Sequence, residues 1–161
     1  MSVFPVPCKD GEYKLSVVST GDGHGNWFAR PVEDGGRVRG SIMSQSKFVN
    51  NLRAEKGADN VILIDAGDNF FGSGAPFYYN YVDTLGSHLY PRLAAYMDYD
   101  AVVAGHSDFE AGHRVYDRVA GEMKKEGIPL LAGNAVCERT GKPYFSAYSI
   151  IRKGGLKVAV L

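Results

Sequence analysis

The sequence is short of the residues that usually advertise a function. Its two cysteines, Cys8 and Cys137, stand far apart. They are too few for a disulfide framework or a zinc knuckle and read as incidental thiols. Basic and acidic residues balance at 18 each, giving a formal net charge of +0, and no block of like charge occurs. That argues against a nucleic-acid polymer or a membrane surface held by bulk electrostatics. No apolar run approaches the roughly 20 residues needed to cross a bilayer, so no membrane span is expected. The opening MSVFPVPCKDGEY has no basic stretch followed by a long apolar one. No secretory signal is visible, and the compartment stays unassigned. Repeats and low-complexity linkers are missing too. Histidine is scarce: the chain has 4, and none follows His113.

What is present is an ordinary folded composition, 45% hydrophobic and 22% charged over 161 residues, which suits one domain. KLSVVST (14–20) and NVILID (60–65) read as buried strands, each broken by glycine. Residues 21–39 read as a long polar loop. Over 41–56, Ile42, Val49 and Leu52 share a helical face, with Gly57 as the stop. PFYYNYVD (76–83) leads into a helix expected over 84–97. A third strand follows at 101–104, a helix at 112–125 and a fourth strand at 129–132. The chain closes with a hairpin, 144–152 and 156–161, around Lys153-Gly154-Gly155. Strands alternating with helices predict an α/β fold: a mixed, largely parallel sheet with flanking helices. The last strand, LKVAVL, runs to the final residue. A chain that stops on an apolar strand reads as cut, so residues 1–161 are expected to be one part of a larger domain.

Chemistry-bearing residues gather where three of these strands end. In open α/β sheets ligands collect at the carboxyl ends of strands, because the loops there converge on a crevice. Asp22 and His24 stand at the first end, Asp68 with Asn69 at the second, His106 at the third. Carboxylate and imidazole groups projecting from neighbouring strand ends make a mixed oxygen and nitrogen site suited to Mn, Fe or Zn. A second Asp can lend an oxygen to each of two ions, the arrangement used in two-metal hydrolysis. Taken singly, each residue reads as a turn former or a helix cap. Their order at three successive strand ends is the specific signal. His88, at a helix start, reads as a surface or capping residue. His113, at another, lies near the crevice, and Asn134 follows the fourth strand. The tyrosines of PFYYNYVD either pack over a sheet end or frame a substrate base.

STGDGHGN, LIDAGDNFFGSG and YDAVVAGHSDFEAGH resemble the three N-terminal blocks of the calcineurin-like metallophosphoesterases. The resemblance is to the branch containing 5'-nucleotidases and 2',3'-cyclic-nucleotide phosphodiesterases. PLLAGNAVCERTGKPYFSAYSIIRKGGLKVAVL is similar to the continuation of that branch, so the likeness covers almost the whole chain. It implies the first half of an α/β/β/α sandwich and a nucleotide or other phosphoester as substrate. It also implies two divalent metal ions (Mn, Zn or Fe), and a family often found in the periplasm or outside the cell. Carried over, Asp22 and His24 would be ligands of the first metal and Asp68 the bridging carboxylate. His106 stands where the family has a metal-binding Asn, and Ser107 where it has the catalytic His. Glu110 falls where an acidic residue supports that His. Asn69, His113 and Asn134 are candidates for contacting substrate or supporting the site.

Two departures set the competing expectations. The chain reads Gly-His-Ser where the family reads Gly-Asn-His. A serine hydroxyl is far too weak an acid to replace imidazolium near neutral pH, a loss that costs about 10²–10⁴ in rate. The family also closes its metal site with later histidines, ending in Gly-His-x-His, and none is here. At most one ion is then expected to bind tightly, and exposed apolar sheet points to a homodimer or a missing C-terminal half. The first reading is the N-terminal portion of a nucleotide-directed phosphoesterase. The alternative is a non-catalytic relative or fragment acting as a binding or scaffold module.

Overall fold

Parallel sheets buried on both faces need strands that are apolar throughout, and the second strand of this chain meets that demand. In a computed structural model describing residues 11–28 and 40–161, β2 (Val61–Asp65) is buried at Val61, Ile62, Leu63 and Asp65. It pairs with β1 (Ser16–Thr20) on one side and β3 (Ala101–Val103) on the other. β4 (Leu130–Leu131) completes a four-stranded sheet in the order β1-β2-β3-β4, parallel throughout. A separate antiparallel hairpin, β5 (Ser149–Lys153) and β6 (Leu156–Val160), turns at Gly154 and Gly155. Their φ angles of 59° and 75° suit the primed turn that Lys-Gly-Gly implies. Lys153 Nζ ties the hairpin to the sheet, donating to Val61 O and to the Asp100 carboxylate, each at 2.8 Å.

Helices supply the cover. α1 (Ile42–Lys56) begins at Ser41, whose Oγ accepts from Ser44 N while the Ser44 hydroxyl accepts from Ser41 N. This reciprocal pair is worth about 1 kcal/mol. A short helix α2 (Gly74–Phe77) runs into a π-turn over Tyr78–Val82. α3 (Leu89–Met97), α4 (His106–Glu110) and α5 (His113–Lys125) follow. Leu63, Val102 and Leu130 join Trp27, Val49, Phe70, Tyr90, Val115, Val119 and Met123 in one core between sheet and helices. Ile62, Ala101 and Leu131, which alternate with them along the strands, are buried as well. No helix is long and apolar enough to cross a membrane among the described residues.

Four sequence expectations need correction or completion. β1 is not buried throughout: it lies at the sheet edge, and Val17 is 58% exposed. PFYYNYVD does not merely lead into a helix but is itself helical. The helix expected from residue 84 starts at Leu89, because His88 caps it by accepting from Tyr90 N at 3.2 Å. His88 therefore caps, as one reading had it, but is far from the surface at 0% exposure. Of the loop expected over 21–39, residues 29–39 lie outside the described residues, as does Cys8.

Candidate metal centre

The crevice is made by three loops leaving the ends of β1, β2 and β3. Backbone pairing continues past the strands: Ala66 N donates to Thr20 O, Asp22 N to Gly67 O and His24 N to Asp68 O, at 2.7, 3.0 and 2.7 Å. The second and third loops touch at Gly67 and Gly105, where a Cβ on Gly67 would run into Gly105 backbone and one on Gly105 into Asp68. Only glycine permits this approach.

Three side chains converge there. Asp22, His24 and Asp68 each place a ligand atom so that all lie within 4.8 Å of one another. His24 Nε2 stands 3.4 Å from Asp22 Oδ1. All three adopt left-handed backbone, with φ of 54°, 44° and 60°. Among the described residues only one other non-glycine, Asp98, does so, and it caps the end of α3. Left-handed backbone costs an ordinary residue about 1–2 kcal/mol. Here the loop hydrogen bonds hold all three residues in it, and the result is three donors aimed at one point.

Beneath them lie two buried carboxylates. Asp108, 1% exposed, accepts four backbone N–H bonds, each of 2.9 Å. Asp68 and Gly105 donate to Oδ2, Asn69 and Phe70 to Oδ1. Burial pushes its pKa up to about 6, against the downward pull of those four donors. Asp65, 0% exposed, accepts from Gly67 N, Asn69 Nδ2 and the Thr20 hydroxyl at 2.8, 2.6 and 2.9 Å. Its pKa too is raised by burial. Asn69 is buried between them, and Trp27 Nε1 donates to its backbone carbonyl. Because its Nδ2 faces two acceptors, Asp65 and Gly67 O, the amide orientation is fixed. Its Oδ1 has no hydrogen-bond partner among the described residues. Neither Asp65 nor Asp108 was a sequence candidate. Asp108 carried one readable signal, an acid at the third position of a helix entered from glycine, where it reaches back to the Gly105 N–H.

The third loop contributes differently. Ser107 donates its backbone N–H to Asp68 Oδ1 at 2.6 Å, fixing that carboxylate from the start of α4. The His106 side chain is 89% exposed, with Nδ1 3.8 Å from Glu110 Oε1, and is not gathered with the other three. His113 starts α5 against aromatic neighbours, its Nδ1 2.6 Å from the Tyr116 hydroxyl and 3.4 Å from that of Tyr144. Asn134 is exposed in the turn after β4.

No family model matches the chain. It is similar to the 5'-nucleotidase of Vibrio vulnificus, 27% identical over 154 residues, 94% of this chain and 25% of that protein. It is likewise similar to Protein UshA of Escherichia coli, 26% identical over 155 residues, 95% of this chain and 26% of UshA. The chain thus spans about a quarter of the length of these curated relatives, which are its homologues. Among solved structures, the calcineurin-like phosphoesterase YfkN of Bacillus subtilis superposes with a TM-score of 0.72 at 21% identity, over 92% of this chain and 46% of YfkN. The fold is that of the N-terminal part of a calcineurin-like phosphoesterase.

Proposed function

We propose that this chain is the N-terminal, metal-gathering part of a phosphoester hydrolase that acts on nucleotides. The observation that carries the reading is the convergence of Asp22, His24 and Asp68, all three in left-handed backbone. Two carboxylates and an imidazole are a donor set that suits Mn, Zn or Fe, so the residues fit the metal the fold implies. Asp22 and His24 would hold a first ion, and Asp68 would lend it an oxygen. A bound divalent ion there polarises phosphoryl oxygens and lowers the pKa of a coordinated water.

The remaining residues prepare that chemistry. Ser107 N–H and Asp108 hold the Asp68 loop from the α4 side, so the carboxylate meets an ion without reorganising. His106 would ligate a second ion, with Glu110 beside it. The Ser107 hydroxyl is far too weak an acid to protonate a leaving oxygen near neutral pH, so turnover by this chain would be slow. Asn69 keeps the Asp65–Asp68 loop in shape by donating to Asp65 and to Gly67 O, while His113 and Asn134 are carried as candidates for contacting a substrate. The relatives named 5'-nucleotidase support a nucleotide as substrate. Residues 1–161 would form one portion of the hydrolase domain, with a C-terminal half or a second copy beside it. A second reading, a non-catalytic binding or scaffold module, has one observation in its favour: His106 lies outside the ligand cluster.

Metal stoichiometry by native mass spectrometry, after Mn²⁺ loading and desalting, tests the proposal. About one ion per chain, lost in Asp22→Ala, is the expected result. No retained metal would remove the basis for a phosphoesterase.

A further inference from the structure

Asn69 stands on the second loop, yet both heteroatoms of its amide bear on the first. We propose that Asn69 is a positioning residue for Asp22 and His24: its side-chain oxygen, keyed to Gly23, sets the turn that aims those two ligands at one point. This role rests on the phosphoesterase reading only for the ion that the two would hold.

The residue is buried and anchored through its backbone and its amide alike. Its N–H donates to Asp108 Oδ1 at 2.9 Å, and its backbone carbonyl accepts from Trp27 Nε1 at 3.0 Å. Nδ2 donates to Asp65 Oδ1 at 2.6 Å and to Gly67 O at 3.2 Å. Gly67 O also accepts from Asp22 N at 3.0 Å, so the amide and the first ligand residue share one carbonyl. Turning the amide over would set its oxygen against the Asp65 carboxylate and Gly67 O. Oδ1 is thereby committed to the side of the first loop, where no donor meets it among the described residues. A buried carbonyl without a partner is costly, and its persistence calls for a reason.

Gly23 supplies that reason. A Cβ built at position 23 would run into Asn69 Oδ1, with Ile42 Cδ1 3.8 Å from the same point. Gly23 is not among the left-handed glycines, so close approach, not its own φ, is what demands glycine there. On either side of it Asp22 and His24 are left-handed. The Gly23 carbonyl accepts from Asn26 N at 2.8 Å and closes the turn. Backbone hydrogen bonds from Asp22 N and His24 N fix the two ends of this segment, and Asn69 Oδ1 fixes its middle. His24 Nε2 then ends 3.4 Å from Asp22 Oδ1. Contacts that orient ligands from behind typically carry about 10–100-fold in metal affinity.

A double-variant cycle in the full chain tests this: Gly23→Ala, Asn69→Ala and the two together. Mn²⁺ affinity is measured by EPR of the free ion, and urea denaturation is followed in parallel. Gly23→Ala is expected to weaken Mn²⁺ at least about tenfold, because its methyl meets an oxygen that is held in place. Asn69→Ala should also weaken Mn²⁺, by about tenfold. The double variant should bind within about twofold of Asn69→Ala alone, because the methyl then has room. A merely structural Asn69 would leave the Gly23→Ala effect unchanged, so equal losses in both backgrounds overturn the assignment. So does an Asn69→Ala chain that binds Mn²⁺ as the parent does. Should Asn69→Ala fail to fold, Asn69→Ser, which also vacates the space, takes its place in the cycle with the same expected outcome. A different result separates the two readings: a parent chain that binds no Mn²⁺, whose urea midpoint Gly23→Ala lowers only while Asn69 is present. That would keep the Asn69–Gly23 contact as the device that sets the turn and sink the phosphoesterase reading.

Discussion

The two sides of the crevice are built by different means. On the β1 and β2 side, Asp22, His24 and Asp68 converge because the loops that carry them are zipped together by backbone hydrogen bonds. On the α4 side, His106 and Glu110 stand on an exposed helical turn, and His106 Nδ1 lies 3.8 Å from Glu110 Oε1, its one ionic neighbour among the described residues. One side is organised before any ligand arrives and the other is not. Local backbone strain persists only where surrounding structure over-determines it, and that is where the left-handed residues are found. Asp108 joins the sides. It sits on α4, yet three of its four donors belong to the β2 loop.

Removing that joint should have the largest effect. Asp108→Ala leaves four buried or half-buried N–H groups without their acceptor, and unsatisfied donors cost about 1–3 kcal/mol each. A loss of at least about 4 kcal/mol in urea denaturation is expected, with loss of Mn²⁺ retention. Asp108→Asn, which keeps one oxygen as an acceptor, should fall between. A variant that kept both stability and metal would mean that the two sides are independent.

The next effect concerns a histidine of the other kind. His88 is buried against Trp27, Tyr79 and Tyr90, with its backbone N–H on Glu122. Tyr90 N donates to Nδ1, so the ring proton is on Nε2, facing Asn80 Oδ1. A second proton would confront the Tyr90 donor. Burial, then the Arg118 charge, lowers the pKa from 6.5 to about 3. The sign follows: above pH 6.5 both folded and unfolded rings are neutral and the stability is fully present. Below that, only the unfolded ring takes up a proton, so stability falls until the folded ring titrates near pH 3. The full loss is up to roughly 5 kcal/mol. Urea titrations of the parent chain and His88→Asn, compared across pH 7 to 4, isolate this share. The raised carboxylates of Asp65 and Asp108 act in the opposite direction and cancel in the difference. An unchanged difference across that range would show that the ring does not set the acid limit.

Much of this was readable from the residues alone, for physical reasons that also mark where reading stops. NVILID announces a central parallel strand because burial on both faces demands an unbroken apolar run. Lys-Gly-Gly announces the hairpin because its turn needs two positive φ angles. Asp22, His24 and Asp68 could be placed together because strand ends of a parallel sheet converge. Val17 misled because a sheet edge is a property of the assembled strands, not of KLSVVST. His88 misled because its partners, Asn80 and Glu122, come from other elements. Asp108 was passed over because the groups it serves arrive from about forty residues away. The π-turn has no periodic signature, being held open by Asn80.

A third test tries to bring the α4 side up to the other. The double variant His106→Asn, Ser107→His restores the residues the resemblance places there. Hydrolysis of 4-nitrophenyl phosphate with Mn²⁺ should rise by about 10²-fold, the lower end of what a positioned general acid contributes. No gain would mean that the missing proton donor is not what limits this chain, and that ligands supplied from outside it are.

The smallest expected effect separates the sides most cleanly. His106→Ala removes an imidazole whose side chain is 89% exposed and whose one ionic neighbour among the described residues is Glu110. Exposed side chains of this kind shift stability by less than about 0.5 kcal/mol when replaced. Because His106 lies outside the Asp22, His24 and Asp68 cluster, Mn²⁺ retention should stay within about threefold of the parent, well short of the 10–100-fold that removing a supporting group typically costs. Native mass spectrometry of His106→Ala beside Asp22→Ala reads this directly. Equal loss of metal in both variants would require α4 to close onto the ion, and the α4 side would then be organised by the metal itself.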